Sequence, residues 1–253
     1  MLNGDAKEPD ALELALVELV GKAYRTPKEL CPHDLEDLRS LVGDSAVTYA
    51  FVLCQFHCVN RMADLLHIDA DGIPESVRVL GPMRRITVQF LGTVFSKIFN
   101  MENRNYDRSF VQVVDEFLAQ HPNSEATIQR EDLAPLESRP HIIEILSSSI
   151  RERDEYSSLE KGVAPKIHAL VEEYLPDKEE DSTGLHKRPE DPVDAFVFVG
   201  TRYAQRTTPA MIDALHEAGY DDLGILDLAI AISDANMWVR FHRLLGLEPA
   251  LLN

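Results

Sequence analysis

Two stretches limit what this chain can fold into. Ser45 to Leu66 and Asp222 to Leu245 both carry apolar residues round most of a helical circumference, with only a few polar interruptions. A helix of that kind has no solvent face and must be surrounded by other helices. The remaining sequence supplies them: apolar residues recur at three- and four-residue spacing between prolines, glycine is scarce at 12 residues, and the Val/Ile/Thr alternation of strands is nearly absent. The fold class expected is all-α.

The punctuation marks out the elements. Leu12, Leu16, Leu19 and Val20 line one face of a segment from Ala11 to Tyr24, and Thr26-Pro27 supplies a cap and a first-turn proline. A helix from about Pro32 carries Leu35, Leu38, Leu41 and Val42 to a break at Gly43, and Asp44 or Ser45 opens the first long helix. Pro74, Gly81 and Pro82 mark a turn region, followed by amphipathic segments over 83–100 and 109–120. These elements form an N-terminal helical unit, 1–120. Residues 121–140, polar and holding three prolines, read as a linker. A C-terminal helical unit, 141–253, then contains helices over 141–156 and 164–175. Its stretch 176–192 has too little apolar content to offset the entropy of ordering and is expected to be a mobile loop. Helices over 194–203 and 209–219 follow, and Asp221 or Asp222 caps the last helix, which stops at Gly246.

Charge and composition exclude several partners. A formal charge of −18 repels phosphate backbones and anionic headgroups, which argues against nucleic acid and membrane surfaces. The longest apolar run, Ala46 to Val59, is broken by Thr48, Gln55 and His57 and is too short to span a bilayer. The N-terminus lacks the basic and apolar regions of a secretory signal, and three cysteines make no disulfide framework, so the cytoplasm is the expected compartment.

The two long helices belong to a longer correspondence. Displacing the chain by 179 residues sets Val20, Gly21 and Tyr24 on Val199, Gly200 and Tyr203, and Asp34 on Asp213. It also sets Ala50 on Ala229, Arg61 on Arg240, and Leu65-Leu66 on Leu244-Leu245. Both stretches read helix, proline-started short helix, glycine break and Asp-capped long helix, which points to two diverged copies of one helical unit.

The residues that carry this pattern also resemble a family. A proline-started helix, a glycine break, an Asp and a long apolar helix ending in Phe56, Asn60-Arg61, Ala63-Asp64 and Leu66 resemble the alkylhydroperoxidase D-like (carboxymuconolactone decarboxylase-like) proteins, especially their peroxidase-related branch. The last unit is similar through Met211, Leu215, Ala218-Gly219-Tyr220-Asp221-Asp222 and Ile225, though of the Asn-Arg-x-x-Asp end it keeps only Arg240. The resemblance covers about 55 residues in each half. It implies an alkylhydroperoxidase D-like helical bundle and a homo-oligomer. Active members carry a thiol peroxidase site built on Cys-x-x-Cys, and none occurs here. What it implies is a protein without that chemistry, non-catalytic or binding a small molecule, with no cofactor.

Two constellations on the first long helix carry the remaining candidates. Cys54 and Cys58 lie one turn apart with His57 between them, compatible with redox catalysis, with a three-residue start to a metal site that lacks a fourth ligand, or with core packing. Their place on the stripe Val47, Phe51, Cys54, Cys58, Met62 and Leu65 favours the core. His57, Asn60, Arg61 and Asp64 form a polar stripe at i, i+3, i+4, i+7. If the two long helices pack about a pseudo-two-fold axis, Asp64 meets Arg240 or Arg243, and Asp234 meets Arg61. The result is either a buried network that fixes helix register or a pocket in which His57 acts as a base and Asn60, Arg61, Asp64, Arg240 and Arg243 hold an anion. Arg78, Arg84, Arg85, Lys97, Arg104 and Arg108 form a basic stretch expected to meet the protein's own acidic surface.

Overall fold

The computed structural model describes residues 10–67, 108–120, 129–160, 162–176 and 182–247, all in helices, turns and connecting segments, with no strand among them. The α-helices are α1 (Ala11–Arg25), α2 (Glu36–Val42), α3 (Ser45–Leu65), α4 (Phe110–Gln120), α5 (His141–Tyr156), α6 (Val163–Tyr174), α7 (Pro192–Arg202), α8 (Pro209–Glu217) and α9 (Asp222–Leu245). The segment 83–100 and all of the basic stretch except Arg108 lie outside the described residues. Arg108 behaves as expected, pairing with Glu116 and Glu144. No described helix is long and apolar enough to cross a membrane.

Helix ends follow local chemistry. Asp10 accepts from the Glu13 backbone N–H at 3.0 Å while Glu13 accepts from that of Asp10 at 2.9 Å, a reciprocal cap for α1. Asp191 caps α7 and Asp221 caps α9, the latter accepting from Gly224 at 2.8 Å. At the other end α9 stops at Gly246, whose φ of 66° is left-handed and open to glycine at no steric cost.

The long helices α3 and α9 share the most extensive helix–helix interface, and each enters the core of the other half. One core gathers Leu19 and Ala23 of α1, Val47, Phe51 and Cys54 of α3, and Val114 and Phe117 of α4 round Met237, Trp238, Phe241 and Leu244 of α9. Phe51 meets Trp238 and Phe241 at ring separations of 6.0 and 5.2 Å. The other gathers Ile167 and Val171 of α6, Phe196 and Val199 of α7, Leu215 of α8 and Leu228 and Ile232 of α9 round Leu65, the last residue of α3. Two boundaries of the sequence reading shift as a result. Helix α5, assigned to the C-terminal unit, packs Ile142, Ile143 and Leu146 into the first core. The second half of the 121–140 segment is no linker either: Leu133 and Leu136 are fully buried, and Arg139 ties it to the start of α3 through Thr48 Oγ1 and Ser45 Oγ at 3.1 and 3.0 Å. In the segment expected to be a mobile loop, Ser182–Lys187 forms a short 3-10 helix.

The order of elements from α1 to α3 recurs from α7 to α9, but not in one gap-free register. The C-caps of α1 and α7, Thr26 (φ −134°, ψ 55°) and Tyr203 (φ −142°, ψ 47°), share an unusual conformation and lie 177 residues apart. The Val-Gly-x-x-Tyr identities at 179 therefore join unlike positions: Val20 and Tyr24 are exposed, Val199 and Tyr203 buried. In the long helices the 179 register does pair like with like, since Ala50 and Ala229, Arg61 and Arg240, and Leu65 and Leu244 are all buried.

Two buried arginines join the halves. Arg61 on α3 donates through Nη1 to the carbonyls of Gly200 and Thr201 at the end of α7, the second at 2.7 Å. Arg240 on α9 donates through Nε to the Ala23 carbonyl at the end of α1, at 3.0 Å. Ala23 and Gly200 are 177 residues apart, the same offset as the two caps. The last carbonyls of a helix lack intrahelical partners and lie at the negative end of its dipole, so a guanidinium there satisfies both hydrogen bonding and charge. Gly200 makes room for this crossing. A Cβ there would stand 2.9 Å from Ile232 and 3.2 Å from Leu65.

Removing one arginine leaves buried carbonyls without donors. Arg240→Met, which keeps the volume, is expected to lower stability by about 2–3 kcal/mol, measured by urea unfolding. A second test concerns His242, buried between α9 and α6 with neither ring nitrogen hydrogen-bonded. Burial, with the nearby His168, pushes its pKa down to about 3 from an ordinary 6.5. The unfolded chain therefore takes up this proton first: the stabilising contribution is complete above pH 6.5 and is lost as pH falls from there towards 3, on the order of 5 kcal/mol in full. His242→Phe is expected to flatten the wild type's loss of stability between pH 6.5 and 4.5, followed by thermal melting across that range.

Candidate functional site

Beside the Arg61 crossing, where the ends of α1 and α7 meet the last turns of α3, the surface opens into a cleft of about 640 Å³. Tyr24 and Arg25 come from α1 and His57, Asn60, Arg61, Ala63 and Asp64 from α3; Thr201 to Arg206 form the opposite wall and Pro176 closes one side. The whole polar stripe read from the sequence lines one cavity. Its remaining charge comes from residues that reading missed, Arg25, Arg202 and Arg206. Four guanidinium groups against the single carboxylate of Asp64 make the cleft cationic in a chain of net charge −18. A concave site with one sign of charge concentrates ligands of the other.

The floor is set by Arg61 and His57. Arg61 Nη2 lies 3.0 Å from His57 Nε2, one helical turn earlier. A guanidinium can only donate, so Nε2 accepts and the neutral ring carries its hydrogen on Nδ1. Burial, with the charges of Arg240 and Arg61, holds the His57 pKa well below the usual histidine range, in agreement with a neutral ring. The Tyr24 ring meets it edge-on at 6.2 Å. This corrects the role of His57: the lone pair a general base would use is engaged by Arg61, and the ring offers a donor. Arg61, lowered by burial to about 10, remains a cation at neutral pH.

The long helices differ at the equivalent turn. In α9 the residue one turn before the arginine is Asn236, whose Oδ1 accepts from Arg240 Nη1 at 2.8 Å and whose amide donates to the Ile232 carbonyl at 2.8 Å. Arg240 is fully buried and Arg243 pairs with Glu172 on α6 while donating to the Lys28 carbonyl at 3.0 Å. Neither lines the cleft, so both leave the set of candidate ligand-binding residues. The expected pairings of Asp64 with Arg240 or Arg243 and of Asp234 with Arg61 are not formed. Arg61 turns Nη1 to carbonyls and Nη2 to His57, and Asp64 is exposed at the cleft rim.

The two thiols also leave the site. Cys54 and Cys58 are buried in the first core, away from the cleft. Burial pushes the Cys54 thiol up to about 12 and raises Cys58 further, the reverse of what a nucleophilic thiol needs. No group of three or more His, Cys, Asp or Glu side chains among the described residues is placed to hold a metal ion. Comparison with protein-family models, curated proteins and solved structures finds no match.

Only Cys31, half-buried ahead of α2, lies near solvent. Titration of the native protein with a disulfide reagent is expected to modify at most one thiol within minutes, and all three after unfolding. Rapid native labelling of Cys54 or Cys58 would restore the thiol reading.

Proposed function

We propose that this protein binds a small organic anion in the cleft between α1, α3 and α7, on a scaffold of two diverged alkylhydroperoxidase D-like units that lacks the thiol peroxidase site. The observation that carries the binding reading is the inversion of charge: four arginines and one carboxylate round a cavity in a strongly acidic protein. Its volume lies in the range of small-molecule sites. Tyr24, Ala63, Tyr203 and Ala204 give an apolar surface beside the charges, while His57 and Thr201 add hydrogen-bonding groups. The two-unit reading is supported by the recurring element order, the matched caps of α1 and α7, and the reciprocal arginines. The thiol-dependent alternative loses its support with the burial of Cys54 and Cys58.

The binding reading is tested by calorimetric titration of the full chain with glutarate and with inorganic phosphate at low and high salt. Arg25 and Arg206 are exposed, so their removal spares the core. The double variant Arg25→Ala/Arg206→Ala is expected to weaken binding at least about tenfold, the loss of one or two charge-assisted hydrogen bonds. Absence of binding by both anions, or equal binding by the double variant, would remove this reading. The family resemblance adds a homo-oligomer, and α1 presents an exposed apolar face of Leu14, Val17, Val20 and Tyr24. Light scattering is expected to show a multimer that Val17→Glu dissociates.

A further inference from the structure

The charged groups that line the cleft divide into those already engaged and those left open. Arg61 is bound to the Gly200 and Thr201 carbonyls and to His57. Arg202 donates to the Tyr174 carbonyl at 2.7 Å, and its guanidinium lies 5.5 Å over the Phe198 ring. These two build the walls. Among the described residues Arg25 makes only a 3.3 Å bond to the Gly21 carbonyl of its own helix. Arg206 and Asp64 make no side-chain hydrogen bond or ion pair among the described residues, and all three are exposed. Two cations and one anion therefore stand uncommitted round one cavity.

Asp64 lines the cleft with four arginines and its charge acts on Arg61, yet it closes no ion pair with any of them among the described residues, although such a pair across the mouth would neutralise both partners. For a plain anion Asp64 is a liability, since it repels the charge that Arg25 and Arg206 attract. It becomes an asset when the ligand carries a cation of its own. We infer that the cleft takes an amino-acid-like zwitterion with an excess of acid groups, its carboxylates turned to Arg25 and Arg206 and its ammonium to Asp64. The inference rests on the anion-binding reading of the cleft. Tyr24, Ala63 and Tyr203 then face the aliphatic part of the ligand.

Glutarate and L-glutamate, which differ only by the α-ammonium, separate the possibilities when each is titrated into the full chain by calorimetry. Wild type is expected to bind glutamate about fivefold more tightly than glutarate, the upper range for a solvent-exposed ion pair. Asp64→Asn is expected to abolish that preference, with glutarate binding as well as before or better, whereas Arg206→Ala weakens both ligands. Asp64 is exposed, and thermal melting confirms that the variant is folded. Equal or tighter binding of glutarate by wild type, or an unchanged preference in Asp64→Asn, overturns the zwitterion assignment while leaving the anion site standing. Failure of glutarate, glutamate and inorganic phosphate alike overturns both.

Discussion

The structure depends on two guanidinium groups that have been taken out of water without a carboxylate to meet them. Arg61 and Arg240 each turn to the carbonyl end of the other half's first helix. A buried cation is costly unless oxygen surrounds it, and the final turn of a helix is one of the few places in a protein where unpaired oxygen is concentrated. Each arginine needs that helix end, and each helix end needs a donor. The two halves are therefore obliged to cross, which places the last turn of α3 in the C-terminal core and the second half of α9 in the N-terminal core.

The cleft lies beside one of the two junctions that this exchange makes. It is open on the Arg61 side, walled by the turn that follows α7. On the Arg240 side the neighbouring positions are filled by the chain itself. Arg243 is held by Glu172 and the Lys28 carbonyl, and Lys28 in turn donates to the Glu173 carbonyl at 3.0 Å. Two similar junctions thus have different fates. One is packed, the other accessible, and the difference comes from what α6 brings to one side.

His57 shows how position on a helix and position in a fold assign different chemistry. As one of four polar residues on an apolar helix it reads as a base. Placed one turn before a guanidinium whose Nη1 is fixed on two carbonyls, it becomes an acceptor at Nε2 and a donor at Nδ1. The same neighbour that makes the site cationic removes its most plausible general base. What remains round the ring is a set of guanidinium donors and the carboxylate of Asp64.

The sequence by itself determined most of the described helices and their breaks, the Asp221 cap, the burial of α9 and the membership of the polar stripe. These depend on three- and four-residue periodicity, on Asp, Pro and Gly at helix ends, and on the cost of burying charge, all local properties. Thr26 and Asp44, by contrast, make no side-chain capping bond, and α3, expected to have no solvent face, keeps Tyr49, Phe56, Asn60 and Asp64 exposed. The sequence was enough to bring His57, Asn60, Arg61 and Asp64 together, because one helix face carries them. Only the tertiary structure decided which arginines share the cleft. Arg25, Arg202 and Arg206 approach α3 from helices and turns distant in the chain, whereas Arg240 and Arg243, equivalent to stripe residues in the sequence, are consumed by Ala23, Asn236, Lys28 and Glu172. The faint signal they left was a tyrosine–arginine pair at the end of one first helix, Tyr24-Arg25, and Arg202-Tyr203 at the end of the other. The partner of a long side chain is set by which helix ends meet it across the core, and periodicity along one helix carries no information about that crossing.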